Sequence, residues 1–245
     1  MKAILLGAGY ATRLYPLTRE KPKPLLPVGG IPIIQRIMGR ILSVKDLDGI
    51  YIVTNHRFFS NYNSWLSEYK PQKKLPDIRV FDDGSISPDD RLGAIGDIQF
   101  VIKNAKIKDD LLVVAGDNIK EFDVTPFVNF AHKNGSTVGL KDLKKSELIS
   151  KYGAVTIDSR NKIIDFEEKP PQPKTTLISI GLYYFLKKHL SLMDDYVKSG
   201  HNPDAPGYYV QWLHKQIDLY GYVIDGPWFD IGDIDSYNDA NRMFA

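Results

Sequence analysis

The chain has 245 residues, 43% of them hydrophobic, which is enough for one large core and ordinary for a single α/β domain. Its 32 Lys+Arg against 30 Asp+Glu leave a formal charge of +2, so no global field draws it to nucleic acid or to an anionic membrane surface. Without cysteine it has neither disulfides nor thiolate metal sites, and its chemistry must use oxygen and nitrogen groups.

The first predicted strand, 2–6 (KAILL), begins without the basic, apolar and small-residue succession of a secretory signal. No apolar run approaches the roughly 18 residues of a membrane span, so cytoplasmic residence is expected. Directly after the strand comes 6–28, LGAGYATRLYPLTREKPKPLLPV. Gly7 and Gly9 allow backbone N–H groups close to an anion, and Arg13, Arg19, Lys21 and Lys23 add cations against one acid, Glu20. Such a segment is built to hold phosphate. It is not a Walker loop, because Tyr10-Ala11-Thr12 follows Gly9 where Gly-Lys-Ser/Thr is needed. A dinucleotide fingerprint would need a third glycine at Thr12, and Pro16, Pro22, Pro24 and Pro27 weigh against the helix it opens.

Further strands are predicted at 50–54, 78–82 and 111–115, alternating with helices near 32–43, 57–69, 92–104 and 125–134. This is the pattern of a mainly parallel central sheet flanked by helices. Ile33, Ile34, Ile37, Ile41 and Leu42 follow Pro32 at helical spacing and belong to the core. His56, at a strand end, reads as a cap or loop contact. Asp82, Asp83, Asp89 and Asp90 are expected to face solvent or to cap the helix starting near Arg91. After 135 the texture becomes β-rich, with strands at 136–141, 153–158, 162–167 and 178–185. Helices return at about 186–198, 206–216 and 234–244, interrupted by a strand at 218–224. Tyr208, Tyr209, Trp212 and Leu213 have helical spacing and read as core or subunit contacts. With no repeat and no linker, 1–245 is expected to be one α/β domain.

Ligands of open α/β sheets sit beyond the carboxyl ends of the strands, so residues after 6, 82, 115 and 167 should converge. Asp117, in AGDN, then presents a carboxylate suited to Mg²⁺, or else serves as a turn or helix-capping aspartate. Glu168-Lys169 precede Pro170, which should extend the chain at Lys169; taken alone, EEKP is a solvated charge cluster.

The run Gly9-x-x-Thr12-Arg13-Leu14-x-Pro16-Leu17-Thr18, followed by Pro22-Lys23-Pro24, resembles the sugar-phosphate nucleotidylyltransferases. One departure is Ala11, where the family has a second glycine; either this position has φ < 0 or the loop is reshaped. The resemblance implies a Rossmann-like nucleotidyltransferase fold, with a nucleotide-binding half over about 1–135 and a β-rich sugar-phosphate-binding half over about 136–245. It places the nucleotide on Leu6, Gly7, Ala8, Gly9, Thr12 and Gly93, the last in a partial match to the family's base-binding turn. Mg²⁺ would be held by Asp117 and by Asp230 of Trp228-Phe229-Asp230-Ile231-Gly232. Arg13, Lys23 and Lys169 would be the catalytic cations. Gly153, Glu168, Lys169 and Gly181 would receive the sugar phosphate, the two glycines letting the ring approach the backbone.

The implied reaction joins a nucleoside triphosphate to a sugar 1-phosphate, giving a nucleotide sugar and pyrophosphate. Catalysis would be positioning and electrostatics, with no general base. The acceptor is left open between glucose 1-phosphate, another hexose phosphate and an alcohol phosphate such as phosphocholine, the last making the chain a cytidylyltransferase. A catalytically silent nucleotide-sugar-binding relative and a dinucleotide oxidoreductase are the rival classes. Longer family members append a hexapeptide-repeat β-helix; ending at Ala245, this chain is expected to lack that second activity and that route to trimers, although another homo-oligomer stays open.

Overall fold

The computed structural model describes residues 1–69, 76–144 and 146–245. They form two compact units, one of Met1–Arg91, Ala115–Val124 and Gly226–Ala245, the other of Leu92–Val114 and Thr125–Asp225. The expected α/β class is what forms.

In the first unit the strand Lys2–Leu6 pairs in parallel with Gly49–Thr54, which pairs in parallel with Asp77–Asp82. GIYIVT is buried at all six positions, as a strand covered on both faces must be. The helix Ile33–Ile41 buries Ile33, Ile34, Ile37, Met38 and Ile41, and the helix Phe59–Glu68 buries Tyr62. Two short antiparallel pairs lie outside this sheet. One is the hairpin of Pro27–Val28 with Ile31–Pro32, turned by Gly29 and Gly30, both at positive φ. The other joins Asn118–Lys120 to Trp228–Asp230, with Asp230 opposite Asn118 and Trp228 opposite Lys120.

The carboxyl-terminal helix Ile234–Met243 starts from a capping box between Asp233 and Ser236. It docks on the hairpin through the Tyr237 hydroxyl, which donates to the Pro27 carbonyl at 2.6 Å, and through Asn241 Oδ1, which accepts from Gly29 N–H at 3.1 Å. A Cβ on Gly29 would lie 2.0 Å from the Phe244 carbonyl oxygen, so glycine is required there by space as well as by φ. The Phe244 ring packs 4.4 Å from the Arg36 guanidinium and 5.3 Å from the Phe229 ring, centroid to centroid in the second case. Arg36 in turn donates to Glu121 at 3.1 Å, and Arg40 reaches the other Glu121 oxygen. The ladder is thus tied to the carboxyl-terminal segment through Phe229, and the chain leaving it at Glu121 is tied to the helix Ile33–Ile41.

In the second unit the long strand Leu177–Phe185 runs antiparallel to residues 111–114, to Thr137–Asp142 and, at Ile178, to Gly153–Ile157. Its register against Thr137–Asp142 shifts between Ser179 and Tyr183, around Gly181 at φ +64. Ile163–Glu168 closes one edge antiparallel to Gly153–Ile157, and Tyr220–Val223 adds in parallel to Thr137–Asp142. The helices are Gly93–Asn104, Thr125–Asn134, Ser191–Lys198 and Pro206–Leu213.

Two predicted helices are shorter than expected. The stretch 186–198 splits into a 3₁₀ turn, Lys187–His189, and the helix Ser191–Lys198. The helix expected over 206–216 ends at Leu213. Of the four residues expected as core or subunit contacts, Tyr209 and Leu213 are fully buried, whereas Tyr208 and Trp212 are half-buried. Among the described residues no helix is long and apolar enough to cross a membrane.

Candidate active site

The glycine-rich loop is held from below rather than left free. Gly7 N–H donates to Val53 O at 2.9 Å and the buried Tyr62 hydroxyl donates to Gly7 O at 3.2 Å. A Cβ on Gly7 would stand 2.4 Å from that hydroxyl, so the first glycine serves packing. Asn55 donates to Ala8 O at 2.8 Å while its own Oδ1 accepts from Phe58 N–H, locking loop to strand end. Gly9, by contrast, is exposed and a Cβ there would meet nothing within 4 Å. Ala11 takes φ 47 and ψ 45, the left-handed conformation, so the alternative of φ < 0 is overturned. Its carbonyl accepts from Leu14 N–H at 3.0 Å and from the Thr18 hydroxyl at 2.8 Å, which hold the turn despite the side chain. Thr12 and Arg13 follow in a 3₁₀ turn, both exposed, with Leu14 as its buried anchor.

Lys23 is only 7% exposed, and its Nζ lies 3.2 Å from Asp117 Oδ2. Asp117 is brought there because Gly116 N–H donates to Leu6 O at 3.0 Å, and a Cβ on Gly116 would stand 2.4 Å from that oxygen. Residues after 6 and after 115 therefore converge as expected. Asp230 accepts from Asn118 Nδ2 at 2.8 Å, across 112 residues of sequence, so the two predicted carboxylates lie at the same end of the short antiparallel ladder.

A cation not anticipated from the sequence sits beneath them. Lys120 is 1% exposed, with its Nζ 3.4 Å from Ala115 O and 3.5 Å from Asn118 Oδ1. Burial pushes its amine down to about 8, against the pull of Asp117 and Asp230. Burial also opposes the charge on Asp117, but Lys23 and Lys120 outweigh it and hold the carboxyl below the usual range. The donor set suits a hard divalent cation: two carboxylates, one of them with a side chain 48% exposed. Among the described residues no three His, Cys, Asp or Glu side chains cluster, so further ligands would be phosphate oxygens or water, as Mg²⁺ commonly keeps.

The loop after 82 departs from expectation at Asp82, which is half-buried and accepts from Gly84 N–H, and at Asp83. Asp83 is 9% exposed, its Oδ1 accepting from the N–H and hydroxyl of Ser85, rather than facing solvent or capping a helix. Asp90 folds the same loop by accepting from the N–H groups of Ile86 and Ser87. His56 is a loop contact, its Nδ1 2.6 Å from Asp82.

The second unit gathers the other candidates. Glu168 ends its strand opposite Gly153, and Gln211 Oε1 accepts its N–H at 2.8 Å. Burial raises the Glu168 carboxyl, with neighbouring Lys169 opposing. Lys169 is exposed, but the extension expected before Pro170 does not occur: its φ is 50, with its N–H donating to Tyr152 O at 3.0 Å. That hydrogen bond and the end of the ladder override the preference set by the proline. A Cβ on Gly153 would stand 2.5 Å from the Phe166 ring and 2.9 Å from Glu168 Oε2. Gly93 has φ +77 and lies against Pro203, whose carbonyl would be 2.7 Å from a Cβ. The next two amides, of Ala94 and Ile95, donate to Asp204 O and Pro203 O. A cavity of about 370 Å³ beside Asn134, His189 and Tyr220 contains none of the predicted site residues.

Residues 2–245 match the family model described as nucleotidyl transferase. The chain is 33% identical over 241 residues to the bifunctional protein GlmU of Methanococcus aeolicus, covering 98% of this chain and 54% of that protein. It is 29% identical over 252 residues to the UTP–glucose-1-phosphate uridylyltransferase of a Synechocystis species, covering 99% and 63%. The chain thus spans between about half and two thirds of the length of these relatives. Among solved structures, a Bacillus anthracis protein assigned provisionally as a glucose-1-phosphate thymidylyltransferase, in complex with sucrose, superposes with a TM-score of 0.78 at 27% identity, covering 100% of this chain and 95% of that one. A UDP-glucose pyrophosphorylase with UDP-glucose gives a TM-score of 0.81 at 19% identity, covering 99% and 97%, a likeness of fold.

Ala11 is held in the left-handed conformation. A residue with a Cβ is disfavoured there by about 1–2 kcal/mol, whereas glycine loses about 0.5–1 kcal/mol more in chain entropy. Ala11→Gly is expected to stabilise the fold by about 0.5–1 kcal/mol, read as a higher urea midpoint with unchanged slope. A lower midpoint would contradict the strained backbone.

Proposed function

The chain belongs to the nucleotidyl transferase family, and we propose that it joins a nucleoside triphosphate to a sugar 1-phosphate, releasing pyrophosphate. The observation that carries this reading is the pairing of Lys23 with Asp117 beside a ladder that ends in Asp230, with Gly116 hydrogen-bonded to the Leu6 carbonyl where the glycine-rich loop begins. A silent relative would have no need of two carboxylates kept around a buried Lys120. In this reading 1–245 acts as one nucleotidyltransferase domain in the cytoplasm, with the nucleotide on its first part and the sugar phosphate on its second.

A phosphomonoester is largely dianionic at neutral pH, so its oxygen attacks the α-phosphorus without a general base. The obstacle is repulsion between two polyanions and the charge gathering on the departing pyrophosphate. Exposed Arg13 and the backbone from Gly9 to Thr12 take the triphosphate. Lys23 is held in place by Asp117 and needs no reorganisation to act on the phosphates. Asp117 and Asp230 would hold Mg²⁺, which when bound would further neutralise phosphate charge. Lys169 pairs with the phosphate of the acceptor, and Glu168 accepts hydrogen bonds from its hydroxyls. Pyrophosphate release scored over a matrix of nucleoside triphosphates and phosphorylated acceptors tests the reading. Turnover with no acceptor but water, or none with any sugar phosphate, would overturn it.

Activity is expected to vanish with chelator and return with Mg²⁺. Asp117→Asn and Asp230→Asn should each lower turnover by at least about a hundredfold, as losses of preorganised charge stabilisation do. Steady-state rates on variants of wild-type thermal stability decide this, and full activity in either variant removes that residue from the metal site.

The two cations outside this pair should separate the substrates. Arg13→Ala deletes a charge-assisted contact of about 1.5–3 kcal/mol, so triphosphate kcat/KM should fall roughly ten- to a hundredfold. Lys169→Ala should impair use of the sugar phosphate while calorimetric triphosphate affinity stays near wild type. The reverse pattern would exchange their assignments.

A further inference from the structure

The Glu168 carboxylate occupies a slot bounded by two residues without side chains. Gly153 faces it across the antiparallel ladder, and Gly207 faces it from the first turn of the helix Pro206–Leu213. A Cβ on Gly207 would stand 1.7 Å from Glu168 Oε2, 2.4 Å from its Cδ and 3.1 Å from Oε1. Real contacts are not that short, so any side chain at 207 forces the carboxylate to move by more than about 1 Å, the scale at which positioning is lost. One turn along the same helix, Gln211 accepts Glu168 N–H at 2.8 Å and fixes the backbone from which the side chain departs. Positions 207 and 211 share a helix face, so one element controls both ends of the residue. Helix formation gives no reason for Gly207, since glycine is a poorer helix former than alanine.

We propose that Gly207 and Gln211 are positioning residues that hold the Glu168 carboxylate at one place and so set the preference for a hydroxyl-bearing acceptor. The proposal rests on the reading that Glu168 accepts hydrogen bonds from the acceptor's hydroxyls. A hydrogen bond weakens steeply with distance and angle, so a carboxylate displaced by an ångström no longer rewards a hydroxylated ligand. The bare slot therefore acts on acceptor affinity through Glu168 alone and leaves the triphosphate untouched.

The test is a double-mutant cycle with glucose 1-phosphate as the probe. Steady-state kinetics on wild type, Gly207→Ala, Glu168→Ala and the double variant are read with calorimetric triphosphate Kd. Gly207→Ala should raise the KM for glucose 1-phosphate at least tenfold, leave triphosphate Kd within twofold, and add nothing in the Glu168→Ala background. Gln211→Ala, which leaves the slot unfilled, should raise the same KM severalfold and likewise lose its effect once Glu168 is removed. If Gly207→Ala alone fails to fold, recovery of folding in the double variant identifies the collision, and the Gln211 cycle carries the kinetic test. Equal effects of Gly207→Ala with and without Glu168, or an unchanged KM in both Gly207→Ala and Gln211→Ala, would overturn the proposal. A wild-type KM in Glu168→Ala would instead overturn the role of Glu168 itself.

Discussion

Three residue pairs, Asn118–Asp230, Ile119–Phe229 and Lys120–Trp228, are the constraint on which the candidate site of the first unit depends. They are the means by which a carboxylate near the end of the chain is brought to one in its middle. A ladder of three pairs would not persist by itself in water. Here it is secured by the Phe229–Phe244 contact, by the Glu121 ion pairs to Arg36 and Arg40, and by the docked carboxyl-terminal helix. Those interactions touch none of the proposed site groups. Their contribution is to make the separation of Asp117 and Asp230 a property of packed structure rather than of side-chain choice.

Lys120 shows how far that packing constrains the electrostatics. A buried ammonium without compensation costs several kcal/mol, which is why such lysines either neutralise or find carboxylates. Asp117 and Asp230 offset part of that cost, and Lys23 pairs with Asp117 in turn. Two anions and two cations thus stabilise one another in a small volume, with Asp117 kept ionised. A site arranged in this way presents fixed charge to a polyphosphate before any ligand arrives.

Much of this was legible in the sequence. KAILL, IYIVT and LLVVA are short apolar runs of the length of buried strands, and the first and third deliver Gly7 and Asp117 to neighbouring positions. The cations and prolines of the loop pointed to phosphate chemistry, and Lys23 does meet Asp117. What escaped has a common cause, which is that it is created by distant partners. Strands of three residues carry no measurable periodicity, so Asn118–Lys120 and Trp228–Asp230 could not be seen. Lys120 looks like any surface lysine until the ladder covers it. Asp83 looked solvent-facing because its partner, Ser85, is an unremarkable loop serine. Gly207 reads as an ordinary glycine, since its neighbour Glu168 lies in another strand. Lys169 was expected to be extended from Pro170, yet the Tyr152 carbonyl decides its backbone.

The most direct test of this account asks whether the ladder, apart from its carboxylates, sets metal binding. Mn²⁺ serves as a spectroscopic probe, titrated by electron paramagnetic resonance in the presence of a non-hydrolysable triphosphate analogue. Phe229→Ala keeps Asp117, Asp230, Lys23 and Lys120 but removes the ring that packs on Phe244. The account predicts one bound Mn²⁺ in the wild-type protein and at least tenfold weaker binding in the variant, with the remainder of the fold intact by circular dichroism. Equal Mn²⁺ affinity in the two proteins, or no bound Mn²⁺ in either, would contradict it.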